Sequence, residues 1–290
     1  MMQKQNGNRK IMVVTAHPDD ETFGMGGTIA KYAAEGCHIF VVCATRGEAG
    51  EADPALLSQY ESMAALRESE LRSAVKVLGI EQLTFLEYRD SGMPGSADND
   101  HPQAFIRAPL TETATKIATL IRKLQPQIIL TFDPMGGYGH PDHIHTYRSV
   151  VLALQLSADE KIDLNGLAPF HPLGVYLHTF PRKMMRIVIK LMPLFGKDPT
   201  KFGKNGDIDF TAILQEDFPI HARIRYGKVA RIREEATACY RSQGGDKQSG
   251  YFLSWLLRFV NSNEDFMQYY PTPTGIRKKH DLFQGLERDS

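Results

Sequence analysis

Four short apolar runs, at residues 11–15, 39–45, 83–86 and 128–132, alternate with segments of helical spacing, and this rhythm limits the fold more than any other feature. Runs of that length, rich in Val and Ile, match strands buried on both faces. Between them a helix is predicted from Gly24 to residue 35, stopped by Gly36. A second covers residues 60–78, with Leu71, Ala74, Val75 and Leu78 on one face and Gly79 as the stop. Ala114, Ile117, Ile121 and Leu124 mark a third, which ends before Pro126. Strands alternating with helices predict an α/β fold, a mostly parallel sheet with helices on both faces. Residues 91–109 are rich in Gly, Pro, Asp and Asn without periodicity, and a loop of that length is either functional or disordered.

Beyond residue 157 the rhythm weakens. Residues 174–179 read as a further strand, and residues 222–242 as a basic helix packed on the sheet. In residues 184–194, Met184, Ile187, Val188 and Leu191 share a helical face beside Arg186 and Lys190; a lid or packing helix is the commoner reading, a membrane-surface helix the rarer. No linker or internal repeat divides the chain, so a single domain over 1–290 is expected, with a motif-bearing core at 11–155 and a C-terminal elaboration at 156–290.

The chemistry gathers where two of the runs end. Ala16-His17-Pro18-Asp19-Asp20-Glu21 follows the first, and Gly139-His140-Pro141-Asp142-His143 follows the fourth. Ligands bind outside the carboxyl ends of strands in open parallel sheets. His17 and Asp20, three apart across a Pro-containing turn, can reach one ion, and His143 is the best third ligand. Two histidines and a carboxylate with an open position suit catalytic Zn2+, and equally a non-haem Fe2+ site. Asp19 is then placed to take a proton from an attacking water, His140 to stabilise an oxyanion or protonate a leaving amine, and Tyr138 to polarise a carbonyl. Asp142 is expected to orient a histidine from behind. Against this, a lone His-Pro-Asp turn is ordinary loop chemistry, since Asp caps helices and Pro starts turns. Two such segments, both after apolar runs, make coincidence a poor explanation.

Other features exclude alternatives. Lys+Arg and Asp+Glu are both 34, so no overall field points to nucleic acid. Hydrophobic residues, at 42%, are too many for a disordered chain. No apolar run approaches the roughly 20 residues needed to span a bilayer, and residues 1–10 lack a secretory pattern. Cys37, Cys43 and Cys239 form no zinc-type pair and suit reduced thiols, so a cytoplasmic protein is expected. Gly24-Met25-Gly26-Gly27 lacks the third glycine of a dinucleotide fingerprint, Ile29 standing in its place, so these glycines are assigned to close helix packing.

Together, AHPDDE and GGYGHPDH resemble the LmbE-like/PIG-L family of zinc-dependent de-N-acetylases. The resemblance continues through Thr45-Arg46-Gly47-Glu48, Arg67-Glu68 and Tyr88-Arg89-Asp90-Ser91-Gly92-Met93, covering residues 11–150. In RDSGM and GGYGHPDHIH it runs toward the mycothiol-pathway deacetylases of actinobacteria. Residues 236–243 resemble a family A-x-x-x-H-x-S-Q segment, but Tyr240 stands at the histidine. The resemblance implies a Rossmann-like three-layer fold and one zinc on His17, Asp20 and His143. It implies Asp19 as base, assisted by His140 and Tyr138, and release of acetate from an N-acetylglucosaminyl compound. Arg67 and Asp90 match positions that hold sugar or inositol hydroxyls; Glu48 is either a third substrate contact or a cap of the following segment. The group attached to the sugar is left open, to be set by the loops at 92–109 and 169–204. A small-molecule substrate is implied, without nucleic acid or stable membrane insertion, and a homo-oligomer is allowed. The competing functions are a non-catalytic carbohydrate-binding relative and an iron(II) oxygenase, for which the chain offers no double-stranded β-helix pattern.

Overall fold

The computed structural model describes residues 9–179, 189, 192–195, 198–200, 216, 218–245, 262–273, 275 and 278–286. Its core follows the predicted rhythm. Strand β1 (Lys10–Thr15) leads into α1 (Asp20–Ala34), then β2 (His38–Thr45), a single turn α2 (Pro54–Leu57), α3 (Met63–Leu78) and β3 (Gln82–Tyr88). Next come α4 (Leu110–Leu124), β4 (Ile128–Phe132), a distorted turn α5 (Gly136–Gly139), α6 (Pro141–Ala158) and β5 (Gly174–Thr179). After β5 stand β6 (Ala222–Arg225), α7 (Ala230–Ala238) and β7 (Asn263–Tyr270).

Successive residues of a strand point to opposite faces, and β1 shows the consequence. Ile11 and Val13 pack with Met25 and Ile29 of α1 and Leu71 and Leu78 of α3. Met12 and Val14 face the other way, onto Ile117 and Ile121 of α4 and Val150 and Leu154 of α6. The result is the expected three-layer α/β fold. Helix ends obey local chemistry. Ser62 caps α3 by accepting the Ala65 N–H, and Gly79 closes it in the left-handed conformation.

The seven strands run in the order β3-β2-β1-β4-β5-β7-β6. The first five are parallel; β7 pairs antiparallel with β5, and β6 antiparallel with β7. β1 and β4 are therefore neighbours, with Val13 opposite Leu130, although over a hundred residues separate them. Strand order reverses between them, which opens the crevice where such sheets bind ligands. Both His-Asp segments leave the sheet there.

Two expectations need correction, and one strand had no counterpart in the sequence reading. Residues 222–242 are not one helix: Ala222 and Ile224 are buried while Arg223 and Arg225 point outward, a period of two that makes β6, and only Ala230–Ala238 is α-helical. Strand β7 carries Glu264 and Asp265 in buried positions, which hides it from a hydrophobicity reading. The first helix starts at Asp20, not Gly24. Residues 184–188, which dominate the predicted amphipathic segment, lie outside the described residues, as do 190 and 191. The packing role of the α1 glycines agrees with the structure, since a Cβ at Gly27 would lie 2.3 Å from the Tyr226 ring.

Candidate metal centre and active site

His17 ends the first strand-to-helix turn, and Asp20 begins α1, its Oδ2 accepting the N–H groups of His17 (2.7 Å) and Ala16 (3.2 Å). His143 sits in the first turn of α6. Its Nδ1 faces the Gly136 carbonyl at 3.1 Å, which assigns the hydrogen to Nδ1 and leaves the Nε2 lone pair free. Phe132, the last residue of β4, stacks on its ring at 4.0 Å. His17 is fixed the opposite way round. Its Nε2 lies 3.1 Å from Asp142 Oδ2 and 3.3 Å from Asp90 Oδ1, so Nδ1 carries the lone pair.

These choices aim three donors at one point. His17 Nδ1 is 3.2 Å from His143 Nε2, His143 Nε2 is 3.2 Å from Asp20 Oδ1, and His17 Nδ1 is 3.6 Å from Asp20 Oδ2. Atoms bound tetrahedrally to one Zn2+ at about 2.0–2.2 Å stand about 3.3–3.6 Å apart, so the two histidine nitrogens are spaced for such an ion, with Asp20 approaching each through a different oxygen. Burial alone would lower the His17 pKa, but Asp90, with Asp142 and Asp20, carries it well above the usual range. Burial would raise Asp20, yet His143 and His17 hold it well below, as an ionised carboxylate.

Other groupings of donor atoms also meet at His17: one adds His140 to His143, the other joins Asp90 and Asp142. Several of their atoms are engaged elsewhere, although Asp142 Oδ1 is buried with no hydrogen-bond partner among the described residues. His140 Nδ1 accepts the Asp142 N–H (3.2 Å), capping α6; Asp142 Oδ2 accepts the Ser91 N–H (3.0 Å), and Asp90 Oδ1 the Gly92 N–H (2.8 Å). Asp142 and Asp90 both face His17 Nε2, at 3.1 and 3.3 Å.

Asp19 stands at the N-cap of α1 but its carboxylate does not cap the helix. Its φ of 121° is a conformation non-glycine residues rarely hold. The carboxylate instead accepts from Arg67 Nη2 at 3.0 Å, and Arg67 also donates to the Pro18 carbonyl. Burial pushes the Asp19 carboxyl up to about 7, against the pull of Arg67. Arg67 does not pair with Glu70, which instead accepts from Ser242 N (2.8 Å) and Oγ (2.6 Å).

A cavity of about 960 Å3 opens in front of these groups, a volume suited to a small molecule. His17, Asp19, Arg67, Asp90, Tyr138 and His140 line it, with residues 49–51, 53–56, 59, 92–93 and 241–244 around them. His140 Nδ1 is an acceptor, so its hydrogen lies on Nε2 as a neutral donor; burial, then the other two histidines, lower its pKa well below the usual value. Burial, then Asp20, raises Tyr138, which remains a protonated donor. Glu48 is not in the cavity lining: it accepts the Asp90 N–H at 2.9 Å and fixes that turn. Asp90 is shared between the cavity and the His17 ring, which the sequence reading missed. Glu21, one of whose partners, Tyr240, comes from the far end of the chain, was missed as well.

An α/β crevice that gathers two histidines and a carboxylate beside a second buried carboxylate is an arrangement that metal-dependent hydrolases can use. The GlcNAc-PI de-N-acetylase (PIG-L) family matches residues 12–154. The 1D-myo-inositol 2-acetamido-2-deoxy-alpha-D-glucopyranoside deacetylase of Streptomyces avermitilis is 32% identical over 96% of this chain and 98% of its own. The chain belongs to the PIG-L/LmbE family and is an N-deacetylase, a hydrolase of the amide carbon–nitrogen bond. Among solved structures, the N,N'-diacetylchitobiose deacetylase of Pyrococcus horikoshii superposes with a TM-score of 0.60 at 22% identity, covering 93% of this chain and 90% of that one. The 4-carboxy-2-hydroxymuconate hydratase GalB of Pseudomonas putida gives 0.58 at 20% identity, covering 92% and 98%. One fold thus serves two chemistries, and the side chains must decide between them.

Proposed function

We propose that this chain removes the N-acetyl group of an N-acetylglucosaminyl compound with one Zn2+ held by His17, Asp20 and His143. The observation that carries the reading is the approach of His17, Asp20 and His143 to one another next to Asp19, with His17 and Asp19 lining the cavity. A divalent ion held there supplies Lewis acidity and brings the pKa of a water toward about 7. The remaining work falls to the chain. Asp19 takes the proton of the water as its oxygen joins the amide carbon. His140 Nε2–H and the Tyr138 hydroxyl donate to the carbonyl oxygen as it gains charge. The carbon–nitrogen bond then breaks, the proton passes to the nitrogen, and acetate and a free amine leave. Arg67 and Asp90 hold the sugar hydroxyls, while Glu48 steadies Asp90.

The sugar's partner is read as inositol, because the Streptomyces avermitilis relative, aligned over nearly its whole length, is named for that substrate. The reading includes a single domain over 1–290 and a cytoplasmic setting, in keeping with free Cys37, Cys43 and Cys239. Among the described residues no helix is long and apolar enough to cross a membrane.

Metal analysis and a panel of N-acetylglucosaminides test the proposal. The expected result is one divalent ion per chain, free amine released from N-acetylglucosaminyl-inositol, and loss of turnover on chelation that Zn2+ restores. Turnover that survives complete removal of metal sinks it. Within the same scheme, Asp142→Ala is expected to weaken Zn2+ affinity by about 10- to 100-fold, measured by chelator competition, because His17 loses the carboxylate that sets its tautomer. Undiminished affinity would assign that task to Asp90 alone.

A further inference from the structure

We infer that Tyr240 and Glu21 form a positioning pair that fixes the backbone of Asp19, so the segment walling the cavity also sets the base. The inference rests on the reading of Asp19 given above. Glu21 is fully buried, in the first turn of α1, and both its oxygens are engaged. Oε1 accepts the Tyr240 hydroxyl at 2.6 Å and the Thr22 hydroxyl at 2.5 Å; Oε2 accepts the Asp19 N–H at 3.2 Å. Tyr240 is itself fully buried, its ring 5.7 Å from that of Phe23.

Asp19 needs such a restraint. At φ 121° its backbone would relax toward an ordinary conformation unless its surroundings over-determined it. Arg67 holds the carboxylate, and Glu21 holds the N–H. Relaxation of that peptide would carry the carboxylate out of line, and misplacement by about 1 Å can cost roughly 10²-fold in rate. The next residues after Tyr240, 241–244, line the cavity, and Ser242 is tied to Glu70 of α3. One short segment therefore touches the substrate space and, through Glu21, the base. Neither Tyr240 nor Glu21 lines the cavity, so both act through Asp19.

The test compares wild type, Tyr240→Phe, Tyr240→His and Tyr176→Phe, each loaded with Zn2+ and assayed on N-acetylglucosaminyl-inositol. Tyr176→Phe removes an equally buried hydroxyl, bonded to the Leu282 carbonyl at 2.8 Å outside the cavity, and reports the stability effect alone. For Tyr240→Phe the expected result is kcat lower by about 10- to 100-fold, with KM and metal content unchanged. Hydrogen exchange at the Asp19 amide, followed by NMR, is expected to quicken. Tyr240→His, which places the family's residue beside Glu21, should recover most of the rate. Wild-type kcat and exchange in Tyr240→Phe overturn the inference, as does a loss carried by KM or by metal content. If Tyr240→Phe does not fold, Glu21→Gln with the same readouts decides. Asp19→Asn, run alongside, separates the two levels. Full activity in that variant, or an inactive wild type, means the site reading itself has failed; a neutral Tyr240→Phe beside a dead Asp19→Asn removes only the pair.

Discussion

Asp19→Asn is expected to lower kcat by about 10²- to 10⁴-fold while leaving one metal ion per chain, the span that one general acid–base group supplies. Two roles compete for this side chain, and asparagine separates them. As a brace, Asp19 only accepts a hydrogen bond from Arg67 at 3.0 Å, which an asparagine carbonyl oxygen can also do. As a base it must take a proton, which an amide does not. Folding is not the confounding factor, because asparagine has the shape of aspartate and meets the same backbone demand at φ 121° that aspartate already meets. Metal content should hold because the converging donors are His17, Asp20 and His143, with Asp19 aimed at Arg67 instead. Acetate release and atomic absorption on the same sample check both halves. An asparagine variant as fast as wild type would leave Asp19 as a brace and return the base to an unknown group.

What could be read from the sequence here had local signals. β1 and β4 are mostly apolar runs, the first followed at once by a His-Pro-Asp turn and the second by one after a glycine-rich turn, so their ends and donors were visible. That His17 and His143 meet follows from β1 and β4 being neighbours, which the βα rhythm makes a natural outcome. Asp142 stands beside His143 in the second motif, so its nearness to a histidine was expected, whereas its contact with His17, 125 residues away, was not local. The missed features depend on distant partners. Glu264 looks wrong for a buried strand until its two oxygens are seen to accept the N–H groups of Gly27 and Thr28 at 2.8 and 2.7 Å in α1. Asp90 reads as a substrate contact, and nothing nearby in the chain shows that it also faces His17. Glu48 reads equally well as a contact or a cap, and its actual acceptor role toward Asp90 depends on how two loops meet. Glu21 belongs to a motif whose other residues have evident tasks, while its partner lies 219 residues away.

The largest expected loss of stability lies away from the cavity, at Arg122. This residue of α4 is almost fully buried, and among the described residues no carboxylate faces it. Its guanidinium donates instead to five carbonyls: Ser157 (3.0 Å), Ile162 (2.8 Å), Leu167 (3.0 Å), Leu156 (3.2 Å) and Asp159 (2.6 Å). Several belong to the C-terminal end of α6, where carbonyls lack helical partners and a positive charge is favoured. Replacing a buried charge with an apolar side chain is often neutral when its partners go too. Here the partners are backbone and stay. Arg122→Met leaves five buried acceptors to find water or go unpaired, and with each orphaned group costing about 1–3 kcal/mol, partial rescue by solvent still leaves a loss of about 3–5 kcal/mol. For a chain of this size that lowers Tm by roughly 6–15 °C. Arg122→Lys keeps the charge but cannot span five acceptors, so an intermediate loss is expected. Calorimetry measures the shift, and metal content below the transition shows whether the donor set survives. Because His143 sits in the first turn of α6 and Arg122 grips the last, the methionine variant should unfold earlier yet bind its ion while folded. A methionine variant with wild-type Tm would mean that these carbonyls find other donors at no cost.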